Sequence, residues 1–501
     1  MEQFLKDNIL VSIGNTFTHF GIVKSLQEKF DCNLYAISDA EKWSERILED
    51  QKIINFEKIW YFSFQTKDIL GKPDMDYLKE FEKKYKINLW QTAFVDRKIN
   101  YFNRYYNFSH DEILLIMEQA CRLCEKVLEE SKPKFLFIKT TVSHNDHLLY
   151  QMCQNLGIKI LMLRPSRFGF KSIISQEIDK LDSIDIQIKN KSELEPKEYL
   201  KKFNFRTEIE QIKTNYKIGW NKKMKSFFNF VLNNKIEDFR NLGKTRKNIL
   251  LKNTAIRLHF RKKSMKSFVD KNSIYDIKNN IPFVYFPLHK EPERSLLIGA
   301  PFYTNQLEVI ENIAKSLPVK YRLFVKDHPA MLKTTMWVRS KNFYKQIIDL
   351  PNVELIHHSV NQDEILEKCK LVITIKGSSA LEAAIENKPS IIFNDADFTE
   401  ISSIFTLKSI EELPITIKNA LKTKVKKSEV VQYLKKIDDN SVEHNTVELM
   451  YGFEKIFPYP GFNQDPEYSE DKIVSYLEKY RDSFDKLAEE HIRKIKILSK
   501  N

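Results

Sequence analysis

The chain has 501 residues and a mass of 59.5 kDa, which is too long for one ordinary domain and predicts two to four. Hydrophobic residues make up 42% and charged residues 30%, a balance that supplies packed cores and excludes a mainly disordered chain. The net charge of +13 suggests an anionic partner, and the position of that charge decides which kind.

Residues 1–185 alternate short apolar runs with amphipathic segments. This alternation predicts a Rossmann-like α/β domain, a mostly parallel sheet covered by helices on both faces. We expect strands at 9–13, 34–37, 59–64, 135–138 and 159–163, and helices at 18–30, 111–131 and 146–156.

The five cysteines indicate a reducing compartment, because their number is odd and small for the length. Cys121 and Cys124 form a C-x-x-C within a predicted helix, and no second pair follows at zinc spacing, so we expect both to face the core. The N-terminus lacks the apolar core of a signal peptide, and no apolar run reaches the roughly 18–20 residues that span a bilayer. We therefore expect a cytoplasmic protein, at most peripheral on the inner membrane face.

The positive charge is concentrated in one segment. Residues 187–280 contain 24 Lys and Arg against 9 Asp and Glu, a net charge of +15, so the rest of the chain sums to −2. Aromatic and aliphatic residues recur among the cations at helical spacing, which predicts a basic helical insert over 186–282. The insert either docks on an anionic membrane or acidic glycan, or is simply a solvated helical segment. No nucleic-acid motif accompanies it, so no nucleic-acid partner is expected.

A second α/β domain is predicted over 283–425, and a helical tail over 426–501. We expect strands at 283–286, 322–325, 353–356, 371–375 and 390–393, separated by helices at 305–317, 362–369 and 380–386. The tail shows helical patterns at 427–436 and 470–497. The expected architecture is α/β, with two doubly wound domains facing a cleft, and ligands at the carboxyl ends of the strands.

Two polar loops follow the first two strands of the second domain. The first offers His289 and Glu293, although it is also compatible with an ordinary charged surface loop. The second places His328 directly after a strand, where Pro329 favours an extended backbone. An imidazole there can donate to a phosphate or leaving-group oxygen, and Lys326 adds positive charge. A capping or core role for His328 is the alternative.

A third loop passes through Gly377 into a helix that begins with Ser378 and Ser379. Glycine lets the backbone approach a ligand closely, and the first N–H groups of a helix attract anions. Capping of the helix by either serine is the alternative. Glu382 either contacts a ribose hydroxyl or completes a capping box with Ser379. Together the three loops predict a pocket for a nucleotide phosphate, with a histidine beside the leaving group.

These motifs resemble those of the bacterial capsule polysaccharide biosynthesis proteins of the capsular Kdo-transferase type. The resemblance covers about 283–395 and rests on Phe286-Pro-Leu-His, Asn305-Gln306, Lys326-Asp-His-Pro, Gly377-Ser-Ser-Ala-Leu-Glu-Ala and Lys388-Pro. The family usually has Gln and Asp where this chain has His289 and Glu293. The His-Pro and Ser-Ser pairs are also similar to those of bacterial sialyltransferases of the GT-B fold.

The resemblance implies a GT-B fold, with donor-binding residues in the second domain. It implies that His328 contacts the donor phosphate, that Ser378 and Ser379 bind phosphate, and that Glu382 contacts ribose. It further implies that the acceptor lies on the N-terminal lobe. The loop after strand 135–138 supplies the candidates for the base that deprotonates it, Asp146, His144 and His147. Capping of the next helix by Asp146 is the alternative.

No metal or cofactor is expected, because the first domain lacks an Asp-x-Asp at a strand end. Asp395-Ala-Asp397 has the spacing but lies late in the second domain.

The predicted function is transfer of a sugar from a nucleotide-activated donor to a surface polysaccharide or glycolipid. The donor is expected to be a CMP-linked acidic sugar such as Kdo or a nonulosonate. Two alternatives stay open. One is a CDP-alditol phosphotransferase or UDP-sugar enzyme resembling a 2-epimerase, and the other is a non-catalytic protein that binds anionic surfaces.

Overall fold

A computed structural model describes twelve stretches of the chain, which form two compact units. The described residues are 6–14, 16–39, 47–62, 71–97, 99, 107–166, 170–182, 249–277, 281–328, 331, 339–457 and 469–500. Of the described residues, the N-terminal unit contains those up to 182, residues 249–252 and those from Asp438 onward, and the C-terminal unit runs from Asn253 to Ile437.

The N-terminal unit is built on a sheet whose first five strands along the chain are parallel, as predicted. The strands are β1 (Asn8–Ile13), β2 (Asn33–Ser38), β3 (Lys58–Tyr61), β4 (Phe135–Lys139), β5 (Lys159–Pro165) and β6 (Lys171–Ser175). β6 pairs with β5 in the antiparallel sense and was not predicted. Ile9, Leu10 and Val11 of β1 are fully buried, because helices cover both faces of the central strands.

Helices of the described residues up to 182 pack around this sheet. They are α1 (Thr18–Lys29), α2 (Met75–Tyr85), α3 (Leu89–Val95), α4 (His110–Ser131) and α5 (His144–Asn155). A capping box between Ser109 and Glu112 begins α4. Cys121 and Cys124 are buried free thiols on this helix, which confirms their predicted core position. Burial raises the pKa of both thiols.

The C-terminal unit contains a six-stranded, wholly parallel sheet. Its strands are β7 (Phe283–Pro287), β8 (Arg322–Lys326), β9 (Val353–Ile356), β10 (Leu371–Thr374), β11 (Ser390–Ile392) and β12 (Ile404–Thr406), in the spatial order β12-β11-β10-β7-β8-β9. The second doubly wound domain predicted from the sequence is thereby confirmed.

Helices separate the strands of the C-terminal unit. They are α6 (Ile249–Asn272), α7 (Arg294–Leu297), α8 (Gln306–Ser316), α9 (Lys341–Ile348), α10 (Gln362–Lys368), α11 (Ser379–Ile385), α12 (Leu413–Ala420) and α13 (Lys427–Asp439). α6 is the described part of the predicted basic insert, of which residues 183–248 lie outside the described chain. Met265 and Val269 of α6 are buried in the core of the C-terminal unit, while Phe260 and Arg261 are exposed.

The end of the chain packs on the N-terminal unit, where the sequence predicted a separate tail over 426–501. The last elements are β13 (Val442–Glu443), α14 (Thr446–Ile456), α15 (Glu470–Lys479) and α16 (Arg481–Leu498). β13 pairs with β6 as the outermost strand, giving the order β13-β6-β5-β4-β1-β2-β3. The predicted helix 470–497 is two helices that meet at Tyr480. α16 lies so close to α1 that a Cβ on Gly21 would stand 2.5 Å from the Phe484 ring.

Within the described part of the chain, every helix is too short or too polar to span a bilayer.

Candidate active site

The parallel sheet of the C-terminal unit has its topological switch point between β7 and β10. From β7 the chain proceeds to β8 and β9 on one side, whereas β10, β11 and β12 lie on the other. Loops that leave two such strands diverge, which opens a crevice for ligands at the carboxyl edge of the sheet. The predicted loops carrying His289 and Gly377 follow β7 and β10, and the loop carrying His328 follows β8, so all three meet at this edge.

His289 connects the two loops of the switch point. Its Nε2 lies 3.1 Å from Oγ1 of Thr374 and accepts a hydrogen bond from the backbone N–H of Lys376 at 3.3 Å. The Gln306 side chain holds the His289 backbone, since Oε1 accepts from its N–H at 2.7 Å and Nε2 donates to its carbonyl at 3.2 Å. His289 was predicted to bind the donor; the structure places it as a buried link that sets the position of the β10 loop.

The β10 loop has no room for a side chain at residue 377. A Cβ on Gly377 would stand 2.7 Å from Oγ1 of Thr374, 3.0 Å from Oγ of Ser379 and 3.3 Å from Cε1 of His289. Glycine is therefore required here by packing, and it leaves the backbone of the loop uncovered.

A buried ion pair between Arg339 and Asp327 holds the loop that follows β8. The Arg339 guanidinium donates to the carboxylate of Asp327, to the His289 carbonyl at 2.5 Å, and lies 3.4 Å from Oε1 of Glu291. The Tyr344 hydroxyl donates to the other carboxylate oxygen of Asp327. Because Asp327 also accepts from the backbone N–H of His328 at 2.7 Å, this network fixes the residue that carries the predicted catalytic imidazole.

His328 is exposed at the carboxyl edge of the sheet. Desolvation by the surrounding protein lowers the pKa of its imidazole from the ordinary 6.5, against the opposing effect of the nearby carboxylates of Glu293 and Asp327. The ring is therefore mostly neutral at pH 7 and retains one N–H donor. The β7 and β8 loops lie side by side, since the Leu288 N–H donates to the Lys326 carbonyl at 2.9 Å and Arg339 binds both Asp327 and the His289 carbonyl. Pro329, also predicted to bind the donor, lies outside the described residues.

Ser378 and Glu382 interact on the exposed side of the β10 loop. The Ser378 hydroxyl donates to Oε1 of Glu382 at 3.2 Å, and Nε2 of Gln362 donates to Oε2 at 2.7 Å. Ser378, and not Ser379, is the N-cap residue of α11, and its side chain makes no capping hydrogen bond. The alternative of a Ser379–Glu382 capping box is therefore wrong, because Ser379 already lies inside the helix.

The two lysines of these loops point into the protein. Nζ of Lys326 donates to the Val360 carbonyl at 2.6 Å, and Nζ of Lys376 lies 3.3 Å from the Gly299 carbonyl. Both side chains are buried, so each adds positive charge beneath the crevice while also tying loops together.

The switch point of the N-terminal sheet lies between β1 and β4. Lys139 ends β4, and its side chain reaches across to β1, where a Cβ on Gly14 would stand 2.5 Å from its Nζ. The glycine after β1 thus makes room for a cation at the carboxyl edge of this sheet. We expect ligands of this unit to bind at the same edge.

Asp146 is a buried carboxyl group in the first turn of α5, beside Lys139. Burial and the neighbouring carboxylate of Asp39 raise its pKa to about 6, while Lys139 opposes that rise. The N-cap of α5 is Ser143, whose hydroxyl accepts from the Asp146 backbone N–H at 3.2 Å, so the capping alternative for Asp146 is wrong. A carboxyl group that titrates near neutrality is well suited to accept a proton.

His144 has a different environment. The ring is 2% exposed, and Nδ1 lies 2.6 Å from Oδ2 of Asp96, which also accepts from the His144 backbone N–H at 3.2 Å. As between His144 and Asp146, this buried pairing favours a positioning role for His144 and leaves Asp146 as the stronger candidate. Asp39 completes the cluster, since it accepts from Ser143 at 2.8 Å and Asn145 at 2.9 Å.

Sequence reasoning missed several residues that position these loops. Arg339 and Tyr344 lie beyond the Lys-x-His-Pro motif and carry no local signature, and the Asp39 and Asp96 carboxylates belong to other loops. Only the tertiary fold brings these groups to the motif residues. Asp395 and Asp397, the pair with metal-like spacing, have hydroxyl partners in Thr406 and Tyr433 at 2.8 and 3.1 Å.

The fold and the loop positions define the class first: the protein consists of two Rossmann-like α/β units with polar loops at the carboxyl edges of their sheets. A family resemblance follows from the sequence. Residues 201–400 match the family model of the capsule polysaccharide biosynthesis proteins. The resemblance predicted from the motifs is confirmed. None of the curated proteins matches the chain.

Several solved structures are similar to the chain at low sequence identity. The UDP-GlcNAc 2-epimerase of Methanocaldococcus jannaschii matches at 12% identity with a TM-score of 0.24, covering 83% of this chain and 94% of that one. The β Kdo 2,7 transferase KpsC of Thermosulfurimonas dismutans matches at 11% identity and a TM-score of 0.30, covering 70% and 87%. Anabaena Alr3699/HepE, in complex with UDP and glucose, matches at 11% and 0.26, covering 95% and 98%.

Proposed function

We propose that the protein is a glycosyltransferase of capsule polysaccharide biosynthesis that uses a CMP-activated acidic sugar such as Kdo or a nonulosonate. The observation that carries this proposal is the convergence of the loops bearing Glu293, His328 and Ser378 at the switch point of the C-terminal sheet. The family match includes these three loops. Similarity of fold does not establish a reaction. The proposal therefore rests on the residues of the site together with the family match.

In the proposed reaction the C-terminal unit holds the donor. The backbone around Gly377 and the hydroxyl of Ser378 contact the phosphate, and Glu382 accepts from a ribose hydroxyl. Before the donor binds, Ser378 and Gln362 both donate to Glu382 and define the position of its carboxylate. When the donor binds, the single Ser378 proton turns to the phosphate and the bond from Gln362 keeps Glu382 in place. His328 donates its N–H to the phosphate oxygen that departs with CMP, which stabilises the charge that develops there.

The N-terminal unit is assigned the acceptor. The acceptor hydroxyl oxygen forms a bond to the anomeric carbon of the sugar, and the bond from that carbon to the CMP phosphate oxygen breaks. Asp146 takes the proton of the attacking hydroxyl, and CMP leaves with the electron pair of the broken bond. The pKa of Asp146, raised to about 6, leaves the base mostly ionised at pH 7 while keeping it a stronger proton acceptor than an ordinary aspartate. In this scheme the phosphate is stabilised by protein groups, with no metal at the donor.

The test is CMP release from CMP-Kdo in the presence of a capsule-type glycolipid acceptor. We expect release that depends on the acceptor and is reduced at least 100-fold in His328→Ala, within the 10²–10⁴ range of a positioned proton-transfer group. His110→Ala is the matched control, because His110 is an exposed histidine on α4, and it should retain parental activity. Release of UDP from a UDP-sugar in place of CMP would overturn the donor assignment, and full activity of His328→Ala would remove that residue from the mechanism.

A further inference from the structure

We propose that the C-terminal unit binds a divalent transition metal of the zinc type through Asp270, His357 and His358. One ligand atom from each of these residues lies within 4.8 Å of the other two, and no other group of three such residues meets this criterion in the described chain. Two imidazoles and one carboxylate form a donor set that suits Zn²⁺ and leaves a fourth tetrahedral position for water.

The atom spacing agrees with shared coordination. Nε2 of His357 lies 3.1 Å from Oδ1 of Asp270. Two ligands at about 2.0–2.2 Å from a tetrahedral zinc ion are separated by roughly 3.3–3.5 Å, so the pair needs a shift of only a few tenths of an ångström to admit the metal.

A second feature that points to a metal is a ring nitrogen of His358 that is available to bind one. The buried Nδ1 of His358 has no hydrogen-bond partner among the described residues. A buried imidazole nitrogen without a partner loses its interaction with water and gains nothing in return, a cost that a metal or water ligand would remove. The ring centroids of His357 and His358 lie 4.0 Å apart, so the two imidazoles are close enough to bind the same ion.

The surroundings also fix His357 in the way that metal-bound histidines are fixed. Its Nδ1 lies 2.6 Å from Oγ of Ser359, and its ring stacks on Tyr275 at a centroid distance of 4.1 Å. The Tyr275 hydroxyl donates to the Asp270 carbonyl at 2.7 Å, so one tyrosine holds both segments. In this structure Nδ1 of His357 also accepts from the Ser359 backbone N–H at 3.3 Å. With metal on Nε2, Nδ1 carries the ring proton and donates to Oγ of Ser359, so the weaker bond from the backbone N–H is given up.

The backbone brings the ligands together from distant parts of the sequence. Asp270 lies in the last turn of α6, and the segment that follows α6 runs beside β9. There the Ile274 N–H donates to the Leu355 carbonyl, and the Ile274 carbonyl accepts from the His357 N–H, both at 2.9 Å. A metal here would fasten α6 to the edge strand of the sheet.

Solvent access to the three ligands and the charges around them determine the affinity for metal that we expect. The Asp270 side chain is 38% exposed and that of His357 is 9% exposed, so solvent reaches one side of the group. Burial lowers the pKa of His358, and the positive charges of Lys266 and Lys326 contribute smaller decreases. The same two charges weaken cation binding. Asp270 is the one anionic ligand of the three. Because the two lysines repel a cation, we expect the loss of the Asp270 charge to weaken metal binding strongly.

The experiment uses the full chain, stripped with EDTA and dialysed. Zn²⁺ binding is followed by calorimetry, and Co²⁺ binding by the visible absorption of tetrahedral cobalt. We expect one ion per chain, at least 10-fold weaker binding in Asp270→Asn and His358→Ala, and a 10–100-fold loss in Ser359→Ala. His110→Ala and Asp111→Asn alter an exposed His–Asp pair elsewhere and should bind as the parent does.

Equal binding by the parent and Asp270→Asn, or no binding by the folded parent, would overturn the metal site. Circular dichroism of each variant separates loss of ligand from loss of fold. The site does not rest on the proposed transferase function, and its readout is metal binding rather than turnover.

Discussion

Arg339 and Asp327 form an ion pair in which both side chains are at least 96% buried. Asp327 lies within the Lys326-Asp-His-Pro motif and Arg339 lies outside it, and their pairing fixes the backbone from which His328 projects. The position of the proposed catalytic imidazole therefore depends on an arginine that lies eleven residues further along the chain.

We predict that Arg339→Ala destabilises the protein by about 3–5 kcal/mol, because it leaves the buried Asp327 carboxylate without its partner. Arg322→Ala is the matched control. It breaks a pair with Glu354 in which the arginine is 48% exposed, and such pairs contribute about 0–1 kcal/mol. Urea unfolding of the three proteins measures the difference. Equal midpoints for both variants would show that the Arg339 network does not hold the site.

We predict that Gly377→Ala weakens nucleotide binding more than Ser378→Ala does. The added methyl group would stand 2.7 Å from Oγ1 of Thr374, so the β10 loop must move away from the His289 side chain that positions it. Ser378 is exposed, and its loss removes one hydroxyl contact without displacing backbone. Calorimetric titration with CMP compares the two. A Gly377→Ala protein that binds CMP as the parent does would mean that the backbone of this loop does not contact the nucleotide.

Asp146 gives a prediction about pH. Its folded-state pKa of about 6 lies above the ordinary 3.8, so protonation favours the folded state and that stabilisation is lost as the pH rises through about 6. Asp146→Asn stays neutral at every pH. We expect it to be at least as stable as the parent at pH 7 and to lose most of its activity, while parental activity falls as the pH drops through 6.

Thermal melts between pH 4 and 8 and a pH–rate profile provide the check. An active Asp146→Asn enzyme, or a parental profile that is flat through pH 6, would exclude Asp146 as the base.

We predict that the exposed face of α6 binds anionic membranes. Phe260 is 65% exposed, and Arg261 and Lys263 beside it are exposed cations. We expect the protein to sediment with vesicles containing about 30% anionic lipid, at roughly 1 kcal/mol per cation near the surface. Replacing Arg261, Lys262 and Lys263 by Glu should abolish this. A parent protein that does not bind such vesicles would leave α6 as a solvated helix.

Much of the fold could be predicted from the sequence, because each buried strand of a parallel sheet is a short apolar run between helical patterns. The runs at 9–13 and 283–286 correspond to β1 and β7. The short strands β12 and β13 were missed, because their few residues show no periodicity. The packing of the tail could not be predicted for another reason: the apolar faces of α14 and α16 indicate burial, but not which unit covers them.

The site was predictable only in part. His328, Gly377 and Ser378 lie where strands turn into polar loops, a position that a sequence pattern marks. The role of His289 as a link between two loops follows from its contact with Thr374, 85 residues away, which no local pattern contains. The same holds for Asp39, whose carboxylate helps to raise the pKa of Asp146 from a different loop.

The most direct test of the central claim is a thermal-shift series of the full-length protein with CMP, CDP, UDP and GDP. At 100 times the dissociation constant, a bound nucleotide stabilises the folded state by about 2.7 kcal/mol. The account predicts a rise in melting temperature with CMP that is smaller in Gly377→Ala. A rise with UDP alone would contradict the CMP donor, and no rise with any of the four nucleotides would contradict the donor site itself.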